Sequence, residues 1–225
     1  MTSTFIIAML SIATFAGGLM TLTQWAAHSK RFKHYRIRTP ETHPIPLKKR
    51  ITNISGNMVL AVIIYTSTLT LLHPYLFTNE PVSGLTLFGQ VLGVLLLYDF
   101  MYYLMHRTLH RRELMKYVHG VHHKARFPTA MESVYLHPLE QLAGLALLMG
   151  ATAMLGPVNS TAFLLIVFVH TTANILVHTN MVFPHPVFKL ANYWAQRHDI
   201  HHGKHLNKNY ASIFPFWDMM FDTYA

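Results

Sequence analysis

No cysteine occurs among the 225 residues, so thiolate ligands, a catalytic thiol and disulfide staples are excluded. Acid is scarce as well, with nine Asp and Glu against 18 Lys and Arg. Basic residues are missing from long stretches. None precedes Lys30, none lies between Arg50 and Arg107, and none lies between Arg126 and Lys189. A dinucleotide-binding glycine fingerprint and a haem-attachment motif are both absent, so the chain carries no motif for taking electrons from NAD(P)H itself. Internal repeats and low-complexity segments are also lacking, and Pro40 to Pro46 is the one expected linker kink.

Apolar residues fill the uncharged stretches, at 52% of the chain. They fall in runs long enough to read as membrane spans: Phe5 to Ala27, Gly56 to Phe77, Leu85 to Met105, and a hairpin of Gln141 to Leu155 and Ala162 to Val177. Gly156 and Pro157, with Asn159 and Ser160, supply the hairpin turn. The hairpin arms are short for full crossings, so tilted or partly re-entrant segments are expected there. The fold class is an all-α, multi-pass membrane bundle of about four to five spans or half-spans, carrying a histidine-rich metal-binding cap. Residues 1–225 read as one membrane domain, with N-terminal spans over 1–84 and the histidine-rich region over 85–225.

Every Lys and Arg falls in one of three blocks, Lys30 to Arg50, Arg107 to Arg126 and Lys189 to Lys208. The positive-inside rule puts all three in the cytoplasm and the N-terminus outside. The connection Asn79 to Ser83 then faces outward. The net charge of +9 follows from loops that orient the spans and touch anionic membrane lipids, with no nucleic-acid motif beside them. The first run is not a signal peptide, because its basic residues follow the apolar segment instead of preceding it.

The chemistry lies in eight histidines gathered in the basic blocks. His106 and His110 form HRTLH, His119, His122 and His123 form HGVHH, and His198, His201 and His202 form HDIHH. Positions i, i+3 and i+4 of a helix share a face, so each box is expected to aim its imidazoles at one point. Neutral nitrogen donors suit iron, copper, zinc or nickel rather than magnesium or calcium. Eight ligands exceed what one ion uses, which points to a dinuclear centre. A solvated patch of loop histidines would explain one box; three boxes on one face are not explained that way.

Residues around the boxes extend the set. His178, where the fifth run returns to the same face, is expected as a ninth ligand, and His137 at the start of the hairpin as a ligand or its support, oriented by Glu140. Asp99, seven residues before His106, is placed to hold a ligand imidazole through its second nitrogen, or to pair with an arginine at the helix end. Asp199 has the same role open to it, or exposure to solvent. Asn180 serves either metal-bound water or a helix C-cap. His170 is expected to hydrogen-bond inside the bundle and His205 to be exposed. His28, His34, His43, His73 and His185 read as structural or interfacial.

From Tyr98 to Tyr224 the chain resembles the fatty acid hydroxylase and sterol desaturase superfamily of integral membrane di-iron proteins. HRTLH at a span end, HGVHH, HPLE, a hairpin ending in VHTN, HDIHH and the tail NYASIFPFWDMMFDTY carry the likeness. Ala211 and Asp222 stand where the family commonly has glycines, which bears on local packing or substrate fit. The resemblance implies that the box histidines bind two iron ions, with zinc able to replace them on purification, and that dioxygen is the co-substrate. It implies hydroxylation or desaturation of a C–H bond in a lipid such as a fatty acyl chain, sphingoid base, sterol or carotenoid. Electrons then come from a separate carrier and an NAD(P)H-dependent reductase. Tyr102, Tyr103, Phe127 and Trp194 are candidates for the pocket wall or ordinary interfacial aromatics. A bacterial inner membrane is the expected home, ahead of an endoplasmic reticulum.

Two other function classes compete. A membrane metallohydrolase needs a general-base carboxylate near the metal; HExxH is absent, but Asp199, Glu113 and Glu132 lie near the boxes. A non-enzymatic haem or metal carrier needs paired histidines or ionisable residues within the spans, where only His170 qualifies.

Overall fold

The computed structural model describes residues 2–39, 45–125, 128–203 and 205–225. Phe127, His43 and most of the Pro40 to Pro46 kink lie outside the described residues. The chain runs through α1 (Ser3–His28), α2 (Leu47–Leu71), α3 (His73–Leu76), α4 (Gly84–Leu109), α5 (Arg112–Tyr117), α6 (Pro138–Leu155), α7 (Ser160–Val177), α8 (Lys189–His202) and α9 (Phe216–Met220). Two short strands, β1 (Phe77–Thr78) and β2 (Val158–Asn159), pair in parallel. Five helices, α1, α2, α4, α6 and α7, are long and apolar enough to cross a membrane.

Local chemistry sets the helix limits. Thr2, Ser83 and Asn159 each accept a backbone N–H of the first turn of α1, α4 and α7. Pro138 opens α6, where its missing N–H costs nothing. α2 begins nine residues before the apolar run expected from Gly56, because Leu47 to Ser55 extends the same helix past its apolar part. It ends at Leu71, and Pro74 starts the separate α3 because proline cannot continue the α2 ladder. At 18 residues each, α6 and α7 reach about 27 Å, close to the hydrocarbon thickness.

The helices alternate in direction. β1 and β2 tie the far ends of α3, α4, α6 and α7, with Gln90 Oε1 accepting the Asn159 N–H at 3.0 Å and Asn79 Oδ1 facing the Ser160 hydroxyl at 2.8 Å. Elements carrying the basic blocks gather at the opposite end, with the histidine boxes. α4, α6 and α7 form the inner layer around Val94, Leu148, Ala151, Phe163 and Ile166, all inaccessible. In lipid, helix association rests on close packing rather than water exclusion. Gly93 permits it here, because a Cβ would stand 3.2 Å from Leu155 Cδ1. α1 packs on α7 and α2 on α6, both outermost. They leave Ile7, Leu10, Leu22, Val62 and Ile63 exposed, a surface that suits hydrocarbon.

Candidate metal centre

Nine imidazoles converge in two groups. His106, His110, His119, His123 and His201 form one, and His122, His178, His198 and His202 form the other; within each, the donor nitrogens lie within 4.8 Å of one another. α4 supplies rings to the five-ring group alone and the end of α7 to the four-ring group alone. α8 and the 3-10 turn His119–Lys124 supply both.

No three-histidine box aims at one point, which corrects the expectation from spacing. HGVHH sends His119 and His123 to the larger group and His122 to the smaller, while HDIHH sends His198 and His202 to the smaller and His201 to the larger. In the α-helical HDIHH, at about 100° per residue, i+4 lies about 40° from i and i+3 about 60° to the other side, so His201 and His202 diverge. One face thus serves two neighbouring centres. HGVHH is also a 3-10 turn and not part of an α-helix. Gly120 belongs to that close turn, because a Cβ there would collide with the Met115 carbonyl oxygen.

Five rings have a partner that fixes their tautomer. Nδ1 of His106 faces the Tyr210 carbonyl at 2.8 Å, that of His122 the Tyr135 carbonyl at 3.2 Å, that of His178 the Asn174 carbonyl at 2.8 Å and that of His201 the Lys208 carbonyl at 2.7 Å. A carbonyl only accepts, so each Nδ1 carries the proton and each Nε2 presents a lone pair. His119 Nδ1 faces the Glu140 carboxylate at 2.8 Å, with both side chains buried.

Those lone pairs point at one another. Nε2 of His119 lies 3.0 Å from Nε2 of both His106 and His123, and Nε2 of His122 lies 3.1 Å from that of His202 and 3.3 Å from that of His178. His178 and His198 approach to 2.8 Å. Two nitrogens bound to one ion at about 2.1 Å stand about 3.0 Å apart at a right angle and about 3.4 Å apart at a tetrahedral angle. The observed separations match edges of such a polyhedron. Nε2 of His110 and of His201 is buried with no hydrogen-bond partner, an orphaned donor set that a cation would satisfy. Burial holds His110 and His122 down to about 4 and His178 to about 3; burial, with neighbouring rings adding to it, pushes His119, His123, His198, His201 and His202 below the usual imidazole range. The neutral form that ligates a metal is therefore the favoured one.

The supporting residues differ from expectation. His137 lies outside both groups and caps α6, its Nδ1 accepting the Leu139 N–H at 3.2 Å. Glu140 orients His119 instead of His137; a buried carboxylate in the first turn of a span was the signal available for it. Among the described residues Asp99 hydrogen-bonds no imidazole, and its carboxylate accepts the backbone N–H groups of Ser212, Ile213 and Phe214. Asp199 pairs with Arg38 at 2.7 Å rather than with a ligand. Asn180, at φ 54°, sits past the end of α7 and exchanges two hydrogen bonds with the Arg38 backbone. Buried Arg197 and Asp218, an ion pair under the tail, were not singled out in the sequence.

Residues 91–223 match the family model for fatty acid hydroxylase. The chain belongs to the fatty acid hydroxylase family. Among curated relatives it is 34% identical to methylsterol monooxygenase 1 of Danio rerio over 143 residues, 61% of this chain and 47% of that protein. It is 33% identical to methylsterol monooxygenase 1 of Rattus norvegicus over 67% of this chain and 51% of that protein. A very-long-chain aldehyde decarbonylase of Oryza sativa subsp. indica is 38% identical over 60% of this chain and 52% of its own length. The chain spans about half the length of the curated relatives it matches. No solved structure matches.

The fatty acid hydroxylase domain encloses two cavities against the histidines. One is bounded by Tyr102, His106, His178, Trp194 and His198. The other, of ≈ 90 Å³, lies between α4, α6 and α7 and is lined by Tyr98, Tyr102, His122, Gln141, His170 and His178. Tyr102 and Trp194 thus face cavities, whereas Tyr103 is fully buried and faces the Thr223 hydroxyl at 3.0 Å. His170 meets the Tyr98 hydroxyl at 2.9 Å inside the bundle. Asp222 has φ 55°, a conformation glycine takes freely and aspartate tolerates, which accounts for the departure from the family's commoner glycine.

Proposed function

We propose that this protein is a membrane monooxygenase that uses dioxygen to hydroxylate or desaturate a C–H bond of a lipid, with two iron ions held by His106, His110, His119, His123 and His201 and by His122, His178, His198 and His202. The observation that carries this reading is the division of nine neutral imidazoles, six buried and three half-buried, into two convergent groups beside a cavity between spanning helices. Two ferrous ions supply the reduction of dioxygen and the removal of hydrogen from an unactivated C–H bond, chemistry that belongs to the metals.

The chain's own residues do the rest. The pocket among α4, α6 and α7, of ≈ 90 Å³, is room for a segment of a lipid chain, which would enter it from the hydrocarbon. Val134, Leu136, Gly144 and Leu145 supply the apolar part of its wall. Tyr98, Gln141 and His170 offer hydrogen bonds that orient an oxygen-bearing lipid. The named relatives act on a methylsterol or a very-long-chain aldehyde, and both classes have that polar handle. Electrons arrive from a separate carrier and an NAD(P)H-dependent reductase docking at the basic end, which the positive-inside rule places in the cytoplasm.

Two of the three carboxylates that the hydrolase reading offered as general bases are engaged elsewhere. Asp199 is paired with Arg38, and Glu132 caps its own 3-10 turn and pairs with Arg50 at 3.3 Å. The test is lipid profiling of cells expressing the protein under isotopically labelled dioxygen. Label in a new lipid hydroxyl, or a new double bond formed only with dioxygen, supports the proposal. Label from water contradicts it.

A further inference from the structure

Five consecutive backbone N–H groups of the C-terminal tail donate to two carboxylates. Tyr210 N donates to Asp218 Oδ1 at 2.8 Å and Ala211 N to Asp218 Oδ2 at 3.1 Å. Ser212 N and Ile213 N donate to Asp99 Oδ1 at 2.8 and 2.9 Å, and Phe214 N to Asp99 Oδ2 at 2.8 Å. Asp99 and Asp218 are both inaccessible to solvent. The segment has no sheet partner among the described residues, so these carboxylates set the planes of its peptides. Arg197 on α8 and the Thr223 hydroxyl hold Asp218 from its other side.

The same segment faces the metal centre with its carbonyls. Tyr210 O accepts from His106 Nδ1 and Lys208 O accepts from His201 Nδ1. Both rings belong to the five-ring group. The four-ring group takes its orienting carbonyls from Tyr135 and Asn174, outside the tail. Turning a peptide plane at Tyr210 swings its carbonyl away from His106 and frees the ring to rotate.

We infer that Asp99 and Asp218 are positioning residues for the five-ring group, acting through the tail backbone 208–214 and leaving the four-ring group untouched. The inference rests on the two-metal reading above. An uncharged side chain at either position weakens the grip on the tail, and metal affinity at that one group falls by about 10-fold or more, as for other residues that orient ligands.

The test is cobalt(II) titration of the full chain in mild detergent, read by visible absorption and by metal count. In a His178→Ala background, where the five-ring group alone retains its full set, Asp99→Asn weakens the remaining tight cobalt site by about 10-fold or more. In a His106→Ala/His201→Ala background, where both rings held by the tail carbonyls are gone and the four-ring group is complete, Asp99→Asn leaves affinity at the tight cobalt site unchanged. Equal loss in both backgrounds, or loss in neither, overturns the inference. If Asp99→Asn does not fold, Asp218→Asn is held to the same two comparisons. Wild-type protein that fails to bind two cobalt ions strikes the metal reading itself instead.

Discussion

The two histidine groups are built from the same boxes yet supported differently. The five-ring group draws on α4, is tied to the tail by two carbonyls, and has a ring against the Glu140 carboxylate. The four-ring group draws on the end of α7, leans on main-chain carbonyls alone, and puts His122 and His178 on the wall of the larger cavity. With one ring fewer, the smaller group would leave more of an ion's coordination sphere open, on the side of the cavity proposed for the lipid. The larger group is the more completely held, with the buried Glu140 carboxyl group against one of its rings. The difference teaches that one helical face of α8 and one short turn serve two centres of unequal openness.

Removing a ring from either group is expected to have the largest effect. His201→Ala and His122→Ala each lose one metal, from the larger and the smaller group respectively, and both abolish activity while membrane insertion is intact. Metal counts and lipid profiles check this; a variant that keeps both metals and activity breaks the assignment. Glu140→Ala comes next, weakening metal at the five-ring group by about 10–100-fold. A competition titration that finds the two sites equally weakened removes the asymmetry.

Acid probes the rings together. In metal-free protein the folded-state values of His122 and His178, about 4 and about 3, lie below the ordinary imidazole value of 6.5. The unfolded chain then binds more protons in that interval, so stability is full above about pH 6.5 and is lost as pH falls toward 4. Thermal melts of metal-free protein in detergent are expected to fall over that window, and a flat profile contradicts it. The smallest effect is expected at His137→Ala, which costs less than about 1 kcal/mol as a lost cap and leaves both metals in place. A lost metal in that variant returns His137 to the ligand set.

Much of this was legible in the sequence. The apolar runs marked all five long helices, because lipid-facing helices have no polar stripe to blur the pattern. The gathering of His178 with the boxes was legible from its place at a span end. The allocation of rings between groups was not, since i, i+3, i+4 spacing defines a face and not which of two ions each ring meets. The role of Asp99 was hidden because its partners lie 113 to 115 residues away and are backbone groups, which no side-chain pattern reveals. Glu140 was seen beside His137 in HPLE, but only the tertiary fold brings His119 to it.

The central claim is that nine imidazoles hold two ions. Its most direct test is metal content per chain by mass spectrometry, on protein from iron-supplemented cells purified in mild detergent. The account predicts two metals per chain, iron at least in part, falling to one in His122→Ala. One metal or none in the wild-type protein, or haem absorbance in their place, would contradict it.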